Sequence, residues 1–277
     1  MCGIAGFVAP TSRAPFASEI ISQMTDSLQH RGPDDRGQWL DPSGAIALGH
    51  RRLSILDLSD SSAQPFISPD GLQILVFNGE IYNYRSIARQ LRSLGRNIRT
   101  RGDTEVLMQA FLEWGCEDAL KRMTGMFAFA FVDLSTKKIY LGRDRLGEKP
   151  LYYGWSQGAL LFASELRPFT FYPGFDRKPK RSVIGNFLRY GCIPAPDTIY
   201  ESVFKLAPGN ILTASIDNPS APPQIRAFWK MSEIAEYGIE RSRSARTDEQ
   251  SVAEFEGILD SVVEEQTAVD VPLGAFL

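Results

Sequence analysis

The chain has 277 residues, of which 43% are hydrophobic, enough to build the buried core of one large domain or of one domain and part of a second. Its net charge of -3 is close to zero and Lys and Arg are spread along the chain, which argues against a nucleic-acid-binding protein. No run approaches the roughly 18 apolar residues of a membrane helix. We therefore predict a protein with neither a nucleic-acid nor a membrane partner.

The cysteines and histidines exclude two further classes of protein. The three cysteines, Cys2, Cys116 and Cys192, are odd in number and form no C-x-x-C motif, so a disulfide framework is not expected. The two histidines, His30 and His50, have no metal-ligand spacing with each other or with a cysteine, and we predict no metal site. Free cysteines fit a reducing compartment, so we predict a cytoplasmic protein.

Apolar runs separated by turn signals predict two blocks of strands bordered by helices in the first 165 residues. In chain order the predicted elements are the strand "CGIAGFV", a helix with Ala17, Ile20, Ile21, Met24 and Leu28 on one face, the strands "AIALGH" and "LQILVFN", helices over 84–93 and 104–114, and the strands "GMFAFAFVDL", "KKIYLGRD", "LYYGW" and "GALLFAS". This order favours stacked sheets with helices outside.

The pattern changes after Lys180. A short helix "SVIGNFLRYG" and a strand "ILTAS" precede residues 217–250, which are polar and predicted to be a loop-like linker. An amphipathic helix, "SVAEFEGILDSVVEEQ", then leads into "VPLGAFL", a predicted apolar strand at which the sequence stops. Because a terminal apolar strand with nothing to pair it leaves an open edge, we expect a truncated chain.

Cys2 is a candidate nucleophile. Removal of Met1 would give one residue both a thiol and a free α-amine, whose reference pKa values are about 8.5 and about 7.7–8.0. The amine can then accept the thiol proton near neutral pH without a histidine. A cysteine near a terminus is otherwise only a small residue, so this hypothesis depends on the rest of the chain.

Acyl transfer also needs donors for an oxyanion, and "FNGEIYN" offers the side-chain amide of Asn78 and the backbone N–H of Gly79. The lack of a Cβ at Gly79 would let a substrate approach closely. The alternative interpretation is that Asn78-Gly79 forms a tight turn.

A substrate with a carboxylate and an ammonium group needs both signs of charge in its site. Arg52 can bind a carboxylate, and Glu80 and Asp103 can bind an ammonium. The alternatives are that Arg52 is a solvated strand-end arginine and that Asp103 is the N-cap of the helix that follows it.

Seven motifs in order over about 165 residues resemble the glutaminase domain of glutamine-hydrolysing asparagine synthetases. They are "MCGIAGF", "HRGPDDRG", "RRLSILDLS" with "AQPF", "FNGEIYN", "GDTEVL", "GMFAFAFVDL" and "GRDRLGEKPLYY". The resemblance continues through "YGCIPAPDTIY" and "KLAPGNIL", and the final helix with "VDVPLGAFL" is similar to the entry of the family's synthetase domain.

The resemblance implies an α+β fold of the N-terminal-nucleophile hydrolase type, a four-layer α-β-β-α sandwich of two antiparallel sheets. It implies that Cys2 attacks the side-chain amide of glutamine while Asn78 and Gly79 hold the oxyanion. It further implies that the substrate is bound by Arg52 at the α-carboxylate, by Glu80 and Asp103 at the α-ammonium, and by a pocket wall formed by Leu53, Ser54, Ile55 and Leu56.

The implied organisation is a glutaminase domain over 1–213, a linker over 214–250 and the start of an ATP-dependent synthetase domain over 251–277. The glutaminase reaction needs no cofactor, and ATP and Mg are expected only in the missing synthetase domain. The expected partners are glutamine, a synthetase module that holds the ammonia acceptor, and in one possible assembly a second copy of the chain. An inactive or regulatory fragment without its synthetase domain, and another amide hydrolase with an N-terminal nucleophile, stay open as alternatives.

Overall fold

The computed structural model describes residues 1–10, 16–242 and 247–274. Within them the strands form two six-stranded sheets, ordered β10-β8-β9-β1-β3-β2 and β12-β11-β7-β6-β5-β4. Every pairing between neighbouring strands is antiparallel. The strands are β1 (Gly3–Val8), β2 (Asp35–Leu40), β3 (Ile46–Arg52), β4 (Phe66–Ile67), β5 (Gln73–Ile81), β6 (Gly125–Asp133), β7 (Lys138–Arg143), β8 (Tyr152–Ser156), β9 (Ala159–Ala163), β10 (Val203–Lys205), β11 (Asn210–Ser215) and β12 (Gln224–Ala227).

The central strands are covered on both faces, and their sequences show it. All residues of β1 and β3 are buried, and β1 reads as a continuous run of small and apolar residues instead of an alternating pattern. The edge strand β2, in contrast, exposes most of its residues and carries Asp35 and Arg36. Burial on both faces fits the interior positions of β1 and β3 in the first sheet.

Helices cover the outer faces of both sheets. The helix α1 packs on β1 and β3 of the first sheet. On the second sheet, α3 packs against α2, α4 and the strand β5. Apolar side chains at helical spacing on one face explain this packing. The helices are α1 (Ala17–Asp26), α2 (Tyr84–Ser93), α3 (Asp103–Trp114), α4 (Cys116–Arg122), α5 (Ile184–Tyr190), α6 (Met231–Ser242) and α7 (Asp248–Gln266).

Three apolar clusters separate these layers. One cluster, with Leu48 of β3 and Val76 of β5, fills the space between the two sheets. A second joins α1 to the outer face of the first sheet, and a third joins α2, α3 and α4 to the outer face of the second sheet. The result is the predicted four-layer α-β-β-α sandwich, so the fold inferred from the sequence is confirmed.

The loop prediction for residues 217–250 is wrong over β12, α6 and the first three residues of α7. β12 pairs with β11 at the edge of the second sheet, and Phe228, which follows it, is buried in the cluster under α3. Residues 231–242 form α6. The polar composition of these residues hid a short edge strand, because an edge strand needs few apolar side chains. The division of the chain at 213/214 and 250/251 stays a prediction.

The amphipathic helix near the end is confirmed as α7, which begins with a capping box between Thr247 and Gln250. Its apolar residues are exposed, among them Phe255, Ile258 and Leu259. The strand predicted over "VPLGAFL" is wrong over residues 271–274, which are irregular, and residues 275–277 lie outside the described part of the chain. None of the helices in the described ranges is long and apolar enough to cross a membrane.

Candidate functional site

Cys2 lies directly before β1, at the end of the strand that pairs with β3. Its Sγ accepts a hydrogen bond from the backbone N–H of Leu53 at 3.4 Å and donates to the Leu53 carbonyl at 3.7 Å. Arg31 donates from Nε to the Cys2 carbonyl at 2.9 Å, which fixes the backbone of the same residue. Burial raises the pKa of the Cys2 thiol, so the free thiol is the resting form.

A cavity opens beside Cys2 and contains most of the predicted site residues. Of the ten residues predicted from the sequence, eight line this cavity, which are Cys2, Arg52, Leu53, Ile55, Leu56, Gly79, Glu80 and Asp103. Ser54 and Asn78 do not line it. Ser54 instead donates its backbone N–H to Asp34 Oδ2 at 2.8 Å, so Asp34 braces the loop that follows β3.

Arg52 is buried and held by backbone carbonyls. Its guanidinium donates to the carbonyls of Leu56 and Ser59, both at 3.3 Å, and also to the carbonyl of Asp57. These acceptors are neutral dipoles, so the positive charge of Arg52 has no carboxylate partner among the described residues. The interpretation of Arg52 as a solvated arginine is therefore wrong.

Asn78 and Gly79 lie inside β5, where they pair with Ala128 and Phe127 of β6. The tight-turn alternative is wrong. The side chain of Asn78 is 1% exposed, and both of its polar atoms, Oδ1 and Nδ2, are buried without a hydrogen-bond partner among the described residues. A buried amide with neither atom satisfied is costly, so a functional role for Asn78 fits its environment better than a purely structural one.

Close packing between strands requires a glycine at position 79, which the sequence alone did not reveal. A Cβ at Gly79 would lie 2.2 Å from the carbonyl oxygen of Met126 in the neighbouring strand. The residue must therefore be glycine for β5 and β6 to approach, whatever a substrate requires.

Glu80 and Asp103 form a pair of carboxylates in the cavity. Burial, followed by the negative charge of Asp103, raises the pKa of Glu80 to about 8. Burial also raises the pKa of Asp103, although hydrogen bonds from Ile81 and Thr104 oppose the shift. Two desolvated carboxylates at close range bind a cation tightly, because a positive charge relieves both the desolvation and the repulsion.

Asp103 is the first residue of α3, and the N-cap position is occupied by Gly102, which has no side chain to accept a capping hydrogen bond. Asp103 Oδ2 accepts the backbone N–H of Ile81 at 2.9 Å, so the carboxylate connects α3 to the end of β5. The N-cap interpretation of Asp103 is therefore wrong by one residue.

A histidine joins the two sheets at the site. His50 of β3 is 1% exposed, and its Nε2 lies 3.0 Å from the carbonyl oxygen of Phe77 in β5. Burial lowers the pKa of His50 to about 4, so the ring is neutral and Nε2–H donates to this carbonyl. The bond sets the position of Phe77, the residue that precedes Asn78.

Sequence reasoning missed Gln64, Ser62 and Thr104, which also line the cavity. Gln64 accepts the Phe77 N–H at Oε1 at 2.6 Å and donates to Thr104 Oγ1 at 3.4 Å. The signal was present in "AQPF", which was quoted as a motif but not assigned a role.

Lys149 was also missed. The residue is 6% exposed, and its ammonium makes no ion pair within the described ranges. Burial lowers its pKa, and the negative charges of Glu148, Glu80, Asp144 and Cys2 oppose this shift. Within the described part of the chain, no group of three or more His, Cys, Asp or Glu side chains could hold a metal ion. A reaction without a metal stays a prediction.

Comparison with known families identifies the chain. The family model described as the glutamine amidotransferase domain matches residues 1–229, which contain the cavity and both sheets. The chain belongs to the glutamine amidotransferase family. The match ends after β12 and Phe228, so it includes the edge strand that the sequence interpretation missed.

Curated relatives of this amidotransferase include several asparagine synthetases. The chain is 29% identical to glutamine-hydrolysing asparagine synthetase 3 of Bacillus subtilis over 280 residues, which are 100% of the chain and 43% of that protein. It is 33% identical to a putative asparagine synthetase of Mycobacterium tuberculosis, covering 100% of the chain and 44% of the relative. For a putative asparagine synthetase of Methanocaldococcus jannaschii the identity is 31% and the coverage 100% and 54%. The chain thus spans about half the length of these relatives.

Solved structures show the same fold. A glutamine phosphoribosylpyrophosphate amidotransferase from Bacillus subtilis superposes with a TM-score of 0.60 at 20% identity, covering 82% of the chain and 49% of that structure. An allosteric regulatory enzyme of purine biosynthesis gives a TM-score of 0.61 at 21% identity, again covering 82% of the chain. The amidotransferase therefore has the predicted N-terminal-nucleophile hydrolase fold.

Proposed function

We propose that this chain hydrolyses the side-chain amide of glutamine, with Cys2 as nucleophile, and supplies the ammonia to a synthetase module of an asparagine synthetase-like protein. The observation that carries the proposal is one cavity that holds a thiol, a buried guanidinium and two carboxylates, contributed by Cys2, Arg52, Glu80 and Asp103. Free glutamine offers a carboxylate, an ammonium group and an amide carbon, and these groups match the cavity.

The first step is activation of Cys2. Met1 is 56% exposed, so it is accessible for removal, which frees the α-amine of Cys2. In the chain with Met1 present, burial, followed by the positive charges of Lys149 and Arg31, lowers the pKa of the Met1 α-amine, whereas the charges of Cys2 and Asp34 raise it. We expect the same surroundings to lower the pKa of the Cys2 α-amine once Met1 is removed. A neutral amine can accept the thiol proton and leave a thiolate beside the N–H of Leu53.

Attack by Sγ on the amide carbon forms a C–S bond and places negative charge on the amide oxygen. The unpaired Nδ2 of Asn78 and the N–H of Gly79 are the donors that we assign to this oxygen. The C–N bond then breaks, and the protonated α-amine gives its proton to the leaving nitrogen, which departs as ammonia. Water then attacks the carbonyl carbon of the remaining thioester. A C–O bond forms, the C–S bond breaks, and glutamate and the free thiol of Cys2 are released.

The charges at the other end of the cavity orient the substrate. We assign the α-carboxylate of glutamine to Arg52 and the α-ammonium to Glu80 and Asp103, with Leu53, Ile55 and Leu56 as the wall. Ser54 stands behind this wall, because its N–H is bound to Asp34.

An adjoining cavity supports the delivery of ammonia. It has a volume of about 290 Å³, shares Ile55, Leu56 and Glu80 with the glutamine site, and is closed on the other side by residues between Glu265 and Leu273. Asp270 fixes this segment, because its N–H donates to the Ile55 carbonyl at 3.1 Å and its Oδ2 accepts the Asp57 N–H at 2.9 Å. A neutral, small product can pass through such an apolar space.

The test is the release of glutamate and ammonia from glutamine by the purified chain, with its N-terminus checked by intact mass. We expect activity only from molecules that have lost Met1, and none from Cys2→Ala. A Cys192→Ala variant is the matched control, because Cys192 is an exposed cysteine outside the cavity. Full activity in Cys2→Ala would remove the nucleophile assignment.

An inactive or regulatory chain is the alternative, and the same assay separates it. A folded chain with a free Cys2 amine and no glutamine hydrolysis, but with saturable glutamine binding, would favour this alternative. No feature of the cavity favours it over hydrolysis, because the thiol, Gly79 and the substrate-binding charges line the cavity and Asn78 precedes Gly79 in β5.

A further inference from the structure

A groove of about 780 Å³ lies on the other side of the Arg101-Gly102 backbone from the glutamine cavity, and Gly102 lines both. Its apolar floor is made by buried residues of α2, of α3 and of the loop between them, which include Tyr84, Ala88, Ile98 and Val106. The volume is within the range of small-molecule sites, about 300–1,000 Å³.

The rim of this groove is strongly basic. Arg85, Arg89 and Arg92 lie at helical spacing on one face of α2, and Arg101 faces them from the loop before α3. None of these four guanidiniums is in an ion pair with a carboxylate of the described residues, and Arg85 donates only to the hydroxyl of Tyr84. The rim therefore presents four guanidiniums that form no ion pair within the described ranges.

Two aspartates also line the groove, and both accept hydrogen bonds from neighbouring groups. Asp57 accepts hydrogen bonds from Ser59, Ser62 and the N–H of Arg101, which hold the pKa of its carboxyl well below its usual range although burial opposes this. Asp270 accepts the N–H of Asp57. Neither carboxylate forms a salt bridge with the arginines of the rim, and the groove retains an excess of positive charge.

The concentration of arginines around the groove is unusual for a chain with a net negative charge. Residues 84–102 contain six arginines and no Asp or Glu, although the chain as a whole has a net charge of -3. Arg96 and Arg99 are paired with Glu113 and Glu105, and the remaining four are those of the rim. Like charges three or four residues apart destabilise a helix by a few tenths of a kcal/mol per pair, so this arrangement costs stability unless an anion is bound.

We propose that this groove binds a small molecule that carries two or more phosphate groups. Guanidiniums bind phosphate oxygens in a two-pronged geometry, and arginines four and three residues apart on α2 are about 6 Å and about 4.5 Å apart along the axis, so they can contact successive phosphates. The apolar floor suits a flat organic part such as a nucleobase. The Oγ1 atom of Thr100, which is buried without a partner at the groove, is available to the same ligand.

The proposal does not depend on glutamine hydrolysis, and its test measures binding directly. Inorganic pyrophosphate and ATP are titrated into the full 277-residue chain by calorimetry in the presence of EDTA, with adenosine and a single-stranded oligonucleotide as comparison ligands. The variants are Arg89→Gln combined with Arg92→Gln on one wall, and Arg101→Gln on the other. Arg189→Gln is the matched control, because Arg189 is exposed on α5 and stacks only on Tyr190.

We expect saturable binding of pyrophosphate and of ATP that weakens with added salt, and no binding of adenosine at the same concentrations. The double variant on α2 and Arg101→Gln should each raise Kd by about tenfold or more, while Arg189→Gln leaves it unchanged. Unchanged thermal unfolding of the variants shows that the fold is intact.

Three results would overturn the proposal. One is the absence of saturable binding of either phosphate compound up to millimolar concentrations. Another is equal weakening in the groove variants and in Arg189→Gln, which would indicate a diffuse effect of net charge. The last is tighter binding of the oligonucleotide than of ATP with the same dependence on the groove arginines, which would make the groove part of a nucleic-acid surface.

Discussion

The imidazole of His50 and the carbonyl of Phe77 join the two sheets of the sandwich directly, with Nε2 and O 3.0 Å apart. Phe77 precedes Asn78 and Gly79 in β5, and His50 precedes Arg51 and Arg52 in β3. One hydrogen bond therefore fixes the distance between the strand that supplies the oxyanion donors and the strand that supplies the arginine of the proposed glutamine site.

His50→Leu should destabilise the fold by about 1–3 kcal/mol, because the buried carbonyl of Phe77 loses its donor. Denaturant unfolding measures this change. Protonation of His50 opposes folding, because its pKa falls from 6.5 to about 4 on folding, so its contribution is present above pH 6.5 and is lost as the pH falls toward 4. The variant should lack this part of the pH dependence. His30→Leu, at an exposed histidine, is the control and should change little.

Asn78→Leu should separate stability from activity. Removing two buried polar atoms without partners should raise the free energy of unfolding by about 1 kcal/mol, while loss of the oxyanion donor should lower kcat by about 10²–10³-fold. Unfolding and glutaminase assays on the same sample check both effects.

The matched control for this variant is Asn83→Leu. Asn83 donates to the Arg122 carbonyl at 2.9 Å and accepts the Thr124 N–H at 3.0 Å, so its replacement should destabilise the chain and leave kcat nearly unchanged. A stability loss of similar size in both variants would mean that Asn78 is satisfied by an ordered partner such as water.

Asp103→Asn should stabilise the free protein at pH 8 and weaken glutamine binding. A raised carboxyl pKa means that the folded chain binds more protons than the unfolded chain between about pH 4 and the folded value of about 6, so stability falls as the pH rises through this range and stays low above it. Asparagine keeps an acceptor for the Ile81 N–H and removes the buried charge, which we expect to add about 1–3 kcal/mol at pH 8.

Glutamine affinity checks the other half of this prediction. The raised pKa values of Glu80 and Asp103 predict that the α-ammonium displaces a proton, so KM should fall as the pH rises from about 6 to 8, and calorimetry in buffers of different ionisation enthalpy should show proton release. In Asp103→Asn, KM should rise at least tenfold with a smaller change in kcat. An unchanged KM would assign Asp103 to the α3–β5 connection alone.

Lys149→Met should move the acid limb of kcat/KM to higher pH. The positive charge of Lys149 lowers the pKa of the Met1 α-amine, and we expect it to favour the neutral α-amine and the thiolate of Cys2 in the same way, so its removal should raise the pH at which Cys2 is activated. The rate of Cys2 alkylation by iodoacetamide should show the same shift without glutamine. Lys149→Arg keeps the charge and should restore the wild-type profile, whereas equal profiles in all three proteins would leave Lys149 a purely structural role.

Much of the fold was predictable because local patterns and global packing agree. The mainly apolar runs in β1, β3 and β6 are buried over most of their length, and the apolar faces of α1, α2 and α3 face the sheets. The strand β12 escaped prediction because an edge strand is stabilised by pairing with β11 and by the burial of one following residue, Phe228, and not by a pattern of its own.

For the candidate site, too, some features were predictable from the sequence and others were not. The sequence by itself determined which groups are present, namely a cysteine at position 2, the Asn78-Gly79 pair and the charges of Arg52, Glu80 and Asp103, and their resemblance to a family predicted that they meet. Only the tertiary structure decided the environment of each group, which includes the unpaired amide of Asn78, the desolvated carboxylates, the His50–Phe77 bond and the buried ammonium of Lys149. The physical reason is that burial and electrostatic coupling depend on residues far apart in the chain, which no local pattern records.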